Sequence, residues 1–424
     1  MKRKTFISNS SIMLSSITLG LDYNIFQDKN EYINKLSKKD DETYSDENYW
    51  KTVREMFRFQ KDYINLENGY FSPQPLSTEN FHISKAKYIN SNTSWFMRKQ
   101  QHEEIENTRK NLASFLSLDT EELAITRNTT ESLNTIISGY PWKKGDEVIV
   151  GNQDYGSMIA AFEQQVKRYG IVLKTANISI NPLLDEEIVN SYMSLVTPKT
   201  KIIHLTHLIN LSGQIIPVRK IADEAHKRGI EVIVDAAHSV AHINFNAKQL
   251  DADYLGASFH KWLCCPLGVG FLAVKKKFIS KIYPLMGDSD YANDNIRKFE
   301  HTGTKPVHTI MAINEAINFH NAIGSELKEK RLRYLKNYWV DRIKNYPEIT
   351  INTPISDENR SCAIANFGIS KYTPQQLAEK LFEKHKIFSV AIDHPAIKGV
   401  RITPHIYNNT AELDKLVEAV RSMI

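Results

Sequence analysis

Short apolar runs alternate with longer amphipathic segments between about residues 120 and 275, and this alternation narrows the possible folds sharply. Runs such as DEVIVGN and IEVIVDAAH are typical of strands, and the second is apolar enough to be buried on both faces. Segments such as GSMIAAFEQQVKRYG and PVRKIADEAHKRG have the spacing of helices that end at a glycine. This order predicts an α/β fold with a mostly parallel sheet sandwiched by helices.

The pattern changes after about residue 306, where long helical segments are followed by short strands and further helices. A chain of 424 residues with 42% hydrophobic residues is long enough for two domains. We expect a leader or linker over residues 1–47 and an N-terminal segment with the large domain over 48–306. A smaller C-terminal α/β domain is expected over 307–424.

The N-terminal stretch MKRKTFISNSSIMLSSITLG starts with basic residues and continues as a weakly apolar, Ser-rich run. It resembles a degenerate twin-arginine export signal without an A-x-A cleavage site, and a disordered tail explains it equally well. Both a cytoplasmic and an exported location therefore stay open. The stretch is too short and too polar to cross a membrane, so no integral membrane segment is expected.

Charge and cysteine content exclude several classes of function. Lysine and arginine number 54 against 49 acidic residues, and the basic residues are scattered, so no nucleic-acid partner is expected. The three cysteines are Cys264, Cys265 and Cys362, and two of them are adjacent, which does not suggest a disulfide framework. No C-x-x-C or H-E-x-x-H motif indicates a metal site.

Two ionisable residues follow buried strands: Asp235 ends one apolar run, and Lys261 lies in the turn after the next. In open α/β sheets, ligands bind beyond the carboxyl ends of the strands. A buried carboxylate is costly unless a cation pairs with it, and a salt bridge between the two residues would satisfy that need. The pyridinium nitrogen of pyridoxal phosphate would serve equally well, and this cofactor also needs a lysine for its Schiff base.

A candidate phosphate site lies in ITRNTTESLNTIISG, where a strand turns through Asn128, Thr129 and Thr130 into a helix. Backbone N–H groups at a helix N-terminus bind phosphate well, and threonine hydroxyls add donors. An ordinary threonine N-cap with Glu131 in the first turn would produce the same pattern. Ser258 and His260, next to Lys261, would supply further donors.

Several motifs, in order, make the chain similar to a known family. They are LENGYFSPQP, NTTES, DYGSM, THLINLSGQIIPV, VDAAHSVAH, SFHKWLCCPLGVGFL, HTGTKP and VRITPHIYNNTAELDKL, and they extend from about residue 65 to 424. Together they resemble the class V aminotransferase family, the fold-type-I pyridoxal phosphate enzymes that include cysteine desulfurases and isopenicillin N epimerase-like proteins. The resemblance implies pyridoxal 5'-phosphate as cofactor and an amino acid as substrate.

The resemblance also implies roles for individual residues. Lys261 would form the Schiff base and move protons, Asp235 would pair with the pyridine nitrogen, and Arg401 would bind the substrate's α-carboxylate. The remaining cofactor contacts would come from Thr129, Thr130, Tyr155, Asn210, His238, Ser258 and His260, with Thr304 reaching in from the second subunit of a homodimer. His238 would touch the ring's phenolic oxygen, and Tyr155 would stack on the ring. His242 is expected to be a packing residue.

One departure from the family affects the reaction. Cysteine desulfurases carry a nucleophilic cysteine before the C-terminal arginine motif, but HKIFSVAIDHPAIKGVR contains none, and Cys362 lies upstream in an expected strand. We therefore expect an isopenicillin N epimerase-like enzyme or an aminotransferase acting at the Cα of an amino acid. A cysteine-independent C–S lyase acting by β-elimination is the alternative, and a non-catalytic binding protein is a further one.

Overall fold

The computed structural model of the protein describes residue 36 and residues 39–424. The expected export signal therefore lies outside the described residues. In the described part of the chain the helices are α1 (Glu47–Arg54), α2 (Leu76–Lys99), α3 (Gln101–Leu116), α4 (Thr129–Gly139), α5 (Gly156–Tyr169), α6 (Asp185–Met193), α7 (Val218–His226), α8 (Lys276–Ile279), α9 (Val307–Ile323), α10 (Ser325–Ile343), α11 (Pro374–His385) and α12 (Thr410–Arg421).

The strands of the same region are β1 (Ile64–Asn65), β2 (Leu123–Thr126), β3 (Glu147–Gly151), β4 (Val172–Ala176), β5 (Thr200–Thr206), β6 (Glu231–Asp235), β7 (Tyr254–Ser258), β8 (Gly270–Val274), β9 (Ile349–Ile351), β10 (Ala365–Ile369), β11 (Ile387–Phe388), β12 (Val390–His394) and β13 (Ile397–Ile402). Short 3-10 turns are Thr43–Ser45, Thr120–Glu122, Ala247–Leu250, Ile296–Glu300 and Glu358–Arg360.

The large sheet has seven strands in the order β2-β8-β7-β6-β5-β3-β4. Strands β3 to β7 pair in parallel, and only β8 runs against its two neighbours. Helices follow most of these strands and bring the chain back to the start of the next parallel strand, as parallel pairing requires. The predicted α/β architecture with a mostly parallel, helix-covered sheet is confirmed.

The apolar runs are explained by burial on both faces of this sheet. In β6, Val232 and Val234 belong to the hydrophobic cluster on one face, while Ile233 belongs to the cluster on the other. Successive side chains of a strand point to opposite faces, so a strand covered on both sides needs apolar residues at every position. The run ends at Asp235, which is itself buried.

The carboxyl ends of the central strands meet in register. Thr206 at the end of β5 pairs with Asp235 at the end of β6, which in turn pairs with Gly256 in β7. The loops that leave these strands therefore start from one edge, where this architecture places ligand sites. Lys261 lies in the turn that follows β7, three residues beyond Ser258.

A four-stranded antiparallel sheet in the order β12-β13-β10-β9 forms the C-terminal part, with its own hydrophobic cluster. Helix α9 packs in the hydrophobic cluster of the large sheet. Within α10, Leu332 still belongs to that cluster, whereas Leu335 belongs to the cluster of the small sheet. The division at residue 306 stays a prediction. The N-terminal segment also reaches the small sheet, because Leu66 belongs to its cluster and β1 pairs with β11.

Among the described residues, no helix has the length and apolarity needed to cross a membrane. The same residues contain no group of three or more His, Cys, Asp or Glu side chains placed to hold a metal ion.

Candidate active site

A cavity of about 420 Å³ opens at the carboxyl ends of the central strands, between the large sheet and the small one. Most of the predicted site residues line it. They are Thr129, Thr130, Tyr155, Asn210, Asp235, His238, Ser258, His260, Lys261 and Arg401. Asn128 of the expected phosphate turn lines it as well. The cavity is also lined by residues that the sequence did not single out: Gly69, Tyr70, Thr206, Ala237, Val390 and Ile392.

Lys261 presents its amine to this cavity. Its Nζ lies 3.0 Å from Nε2 of His238. Burial lowers the pKa of Lys261 to about 8, and the positive charge of Arg401 adds to that effect, while Asp235 opposes it. A lysine whose pKa lies near 8 is unprotonated far more often at neutral pH than an ordinary one, and only the unprotonated amine is a nucleophile or a base.

Asp235 is 3% exposed and ends β6 at the cavity wall. Its Oδ1 accepts a hydrogen bond of 2.9 Å from the N–H of Ala237. Burial raises the pKa of Asp235, although the Ala237 N–H and the charges of His204 and Lys261 act against the increase. The amine of Lys261 bonds to His238 rather than to this carboxylate, so the direct salt bridge considered above is not what holds Asp235 in place.

Behind Asp235 lies a buried ion pair that the sequence did not indicate. Nδ1 of His204 is 2.9 Å from Oδ2 of Asp154, and the Thr206 hydroxyl donates to Oδ1 of the same carboxylate at 2.7 Å. Burial acts to lower the pKa of His204, but the neighbouring Asp154 carboxylate raises it overall. This pair fixes the end of β5 next to Asp235. The positive charge of His204 favours the ionised form of Asp235, while the negative charge of Asp154 acts against it.

The helix that the sequence proposed for phosphate binding begins at Thr129, and its N-cap is Asn128 rather than a threonine. Oδ1 of Asn128 accepts from Glu131 N at 2.9 Å, which leaves both threonine hydroxyls free of the capping role. The N–H and the hydroxyl of Thr129 each lie 2.8 Å from the hydroxyl oxygen of Ser258. Hydroxyl and amide donors therefore converge at the positive end of α4, as an anion site requires.

A glycine makes this convergence possible. A Cβ on Gly270 would lie 2.4 Å from the carbonyl oxygen of Ala257 and 3.0 Å from Cα of Asn128. Real Cβ atoms do not approach backbone atoms so closely, so a larger residue would push the start of α4 away from β7. The backbone of Gly270 thus brings the helix N-terminus to within reach of Ser258.

Two polar atoms in the cavity wall are buried and have no partner among residue 36 and residues 39–424. They are Oδ1 of Asn210 and Nδ1 of His260. Burial lowers the pKa of His260 to about 4, and the charge of Lys261 adds to the effect, so its ring is neutral. Buried polar atoms without partners are costly, and a polar ligand in the cavity would satisfy them. Tyr155, at the start of α5, is 44% exposed and free to cover such a ligand.

Arg401 lies in β13, and its guanidinium is buried at the edge of the cavity. Nε donates to Oε2 of Glu67 at 3.2 Å, and Nη2 donates to the other oxygen of the same carboxylate. Nη1 donates to the carbonyl oxygen of Asn210 at 3.0 Å. The sequence predicted Arg401 as a carboxylate-binding residue, but it did not predict that a carboxylate of the protein already engages one edge of its fork.

Thr304 is the one predicted site residue that does not line the cavity. It is exposed on the loop between Glu300 and α9. Its contribution to a partner's site stays a prediction. The three cysteines do not line the cavity either, and burial raises the pKa of Cys264 to about 11 and that of Cys362 to about 12. Cys362 precedes β10 rather than lying in a strand.

The fold and the cavity together define a class of protein. The α/β domain has helices on both faces of its sheet, and a lysine, a carboxylate and the N-terminus of a helix meet at the carboxyl ends of its strands. This is the fold-type-I arrangement. The sequence pattern of the family described as aminotransferase class-V matches residues 73–416. The chain belongs to this aminotransferase class-V family.

Individual relatives are distant but cover most of the chain. Isopenicillin N epimerase of Amycolatopsis lactamdurans is 25% identical over 393 residues, which is 88% of this chain and 98% of that protein. A probable cysteine desulfurase of Synechocystis sp. is 24% identical, over 88% of this chain and 95% of that protein. A solved structure of the cystine C–S lyase C-DES with its product cysteine persulfide has a TM-score of 0.75 at 20% identity, covering 85% of this chain and 97% of C-DES.

Family membership also confirms the expected cofactor, because the aminotransferase class-V family depends on pyridoxal 5'-phosphate. The residues of the cavity fit this group. A ring nitrogen would find the Asp235 carboxylate, a phosphate would find the donors around Thr129 and Ser258, and the partnerless atoms of Asn210 and His260 would find polar partners.

Proposed function

We propose that the protein is an enzyme that acts at the Cα of an amino acid, with an isopenicillin N epimerase-like or aminotransferase outcome. Pyridoxal phosphate, when bound, supplies an electron sink for charge that develops at Cα. One observation supports the proposal above the others. A nucleophilic amine, a buried carboxylate and a buried guanidinium, from Lys261, Asp235 and Arg401, line the same cavity.

Each of these residues has a role that its surroundings support. The Nζ of Lys261 would take a proton from Cα and return it, and its lowered pKa keeps part of the amine unprotonated for that task. The carboxylate of Asp235 would hold a proton on the ring nitrogen, as a buried anion needs a cationic partner. Arg401 would bind the α-carboxylate with the donors that Glu67 and Asn210 leave free.

The walls favour a substrate with some apolar character. Val390 and Ile392 stand two residues apart on β12, so both side chains face the cavity from the same side of the strand. Tyr70 closes another part of the opening and is 75% exposed. An amino acid bound through its carboxylate at Arg401 would direct its side chain toward this mixed aliphatic and aromatic surface.

A second candidate function is β-elimination of a sulfur-containing amino acid. The observation in its favour is that all three cysteines are buried, unpaired and outside the cavity, so a persulfide on the protein is disfavoured while elimination needs no cysteine. The resemblance to the cystine C–S lyase C-DES supports the same alternative. A purely binding role is less well supported, because the complete set of Lys261, Asp235 and Arg401 would have no task in it.

The experiment is a substrate panel for the cofactor-loaded protein. It is incubated with L- and D-amino acids, including cystine, and the products are analysed for chirality, keto acids and sulfide. Racemised amino acid identifies an epimerase. Keto acid formed in turnover only when a second 2-oxo acid is added to accept the amino group identifies an aminotransferase. Keto acid released with ammonia and with sulfide or persulfide sulfur identifies the lyase. Lys261→Ala, loaded with the same cofactor, is the control. A loaded wild-type protein that converts none of the panel would contradict the proposal and favour the binding role.

A further inference from the structure

A chain of hydrogen bonds lies behind the amine of Lys261, and it starts at a backbone amide. The N–H of Ala363 donates to Nε2 of His242 at 2.9 Å. An amide N–H can only donate, so Nε2 of His242 carries no proton and the neutral ring is protonated at Nδ1. This Nδ1 lies 2.7 Å from the carbonyl oxygen of His238, which can only accept.

The same reasoning fixes the proton on the ring of His238. Nε1 of Trp262 lies 3.3 Å from Nδ1 of His238. An indole N–H is a donor without acceptor capacity, so Nδ1 of His238 must accept, and the proton of the neutral ring is on Nε2. That Nε2 lies 3.0 Å from Nζ of Lys261.

Both histidine rings are neutral in this setting. Burial lowers the pKa of His238 well below its usual range, and the charges of Lys261 and Arg401 add to the effect. Burial likewise lowers the pKa of His242. A neutral imidazole has one ring proton, so each ring has a single tautomer that agrees with its fixed donor and acceptor.

Trp262 is held firmly enough to impose this choice. It is 0% exposed, and its ring stacks on His242 with centroids 3.7 Å apart and planes inclined by 21°. The ring of His405 also stacks on it, with centroids 5.2 Å apart and planes inclined by 11°. A buried ring stacked on two others cannot swing its N–H away from His238 without disturbing these contacts.

We propose that Trp262 and His242 are positioning residues that lock His238 in the tautomer protonated at Nε2, so that a hydrogen-bond donor faces the amine of Lys261. The proposal deepens the proposed function, on which it rests for the role of Lys261 alone. A donor at Nε2 binds the lone pair of the unprotonated amine. The opposite tautomer would present an acceptor there and would favour the ammonium ion. The lock therefore favours the form of Lys261 that reacts.

The direct test is a nitrogen NMR spectrum of protein labelled with ¹⁵N in its histidines, recorded at about pH 9, where an amine of pKa near 8 is unprotonated. The signals of His238 are assigned by their loss in His238→Asn. We expect a pyridine-type shift at Nδ1 and a pyrrole-type shift at Nε2, in both cofactor-free and cofactor-loaded protein. A proton on Nδ1, or on both nitrogens, in the wild-type protein would overturn the proposal without any variant.

Trp262→Phe keeps a ring in the stack and removes the N–H. It should give His238 a mixture of tautomers and raise the pH midpoint for cofactor attachment to Lys261. Trp142→Phe is the matched control, because Trp142 is also buried and its indole donates to a carbonyl, that of Ile137, at 2.7 Å outside the cavity. It should leave both readouts unchanged. An unaltered His238 spectrum in folded Trp262→Phe would also overturn the proposal.

The outcomes separate this inference from the proposed function. A protein that converts no amino acid yet shows the Nε2–H tautomer would contradict the proposed function and leave the tautomer lock in place. An active protein whose His238 is protonated at Nδ1 would do the reverse.

Discussion

Glu67 and Arg401 are 334 positions apart in the sequence and form a buried ion pair at the edge of the cavity. The carboxylate engages Nε and Nη2 of the guanidinium, and Asn210 accepts a bond from Nη1. A guanidinium has five N–H donors, so a ligand carboxylate can still bind the ones that remain. Glu67 therefore sets the orientation in which Arg401 meets a substrate.

Arg401→Lys should keep the fold and the cofactor spectrum while kcat/KM for amino acids falls about a hundredfold, because lysine has no planar fork of donors. Amines without a carboxylate should react equally poorly with both proteins. The control is Arg331→Lys, since Arg331 is buried and paired with Glu47 outside the cavity. If Arg401→Lys handled amino acids as well as the wild type, Arg401 would not be the carboxylate-binding residue.

Glu67→Gln should lower the free energy of unfolding by about 3 kcal/mol, because it leaves a buried guanidinium without its anion. It should also raise KM for amino acids about tenfold with a smaller change in kcat, since Arg401 is no longer held in one orientation. Steady-state kinetics and thermal unfolding measure the two effects. Glu47→Gln, in the pair with Arg331, should affect stability alone. A lower KM in Glu67→Gln would mean that Glu67 competes with the substrate carboxylate for Arg401 instead of orienting Arg401 for it.

The lowered pKa of Lys261 predicts how cofactor loading depends on pH. Burial holds this pKa at about 8, so the unprotonated fraction of the amine falls about tenfold for each pH unit below 8 and levels off above it. The rate at which cofactor-free protein takes up pyridoxal phosphate should follow that curve in stopped-flow absorbance. A small-molecule amine measured in parallel corrects for titration of the cofactor itself. A midpoint near 10.5, the ordinary lysine value, would contradict the burial argument.

Thr304 tests whether two chains share each site. Lys261→Ala and Thr304→Glu should each be nearly inactive, since the second places a negative charge where a partner's phosphate is expected. After their subunits are mixed and exchanged, about half of the dimers should be mixed, and each of these should contain one intact site. Activity should then recover to about a quarter of the wild-type value. Mixed dimers confirmed by mass spectrometry but without activity would show that Thr304 does not act in the partner's site.

The sequence predicted those site residues that stand in a recognisable local pattern, such as the end of a strand or the start of a helix. Asp235 and Lys261 were found because the first ends a strand and the second lies just after one, and a strand buried on both faces is recognisable from its unbroken apolar run. The helix expected to bind phosphate was located to within one residue of its start, but its cap is Asn128, because an asparagine, a threonine and a second threonine in succession all suit that position.

The features of the site that the sequence did not predict depend on contacts between distant segments of the chain. Glu67 is an acidic residue in an irregular stretch, and nothing near it in the sequence indicates that Arg401 will meet it. His242 was expected to be a packing residue, and only the direction of its hydrogen bonds shows that it fixes the backbone of His238. The structure of a single chain cannot show the role of Thr304 if that role is in the site of a partner subunit.

We propose above that this protein breaks the Cα–H bond of an amino acid, and exchange of that hydrogen in D₂O measures this step. Cofactor-loaded protein should incorporate deuterium at Cα of at least one amino acid of the panel, or into the product derived from it. Loaded Lys261→Ala should do so at least about a hundredfold more slowly, because the base that takes the proton is gone. Absence of exchange with every amino acid tested, or equal exchange by Lys261→Ala, would contradict the account.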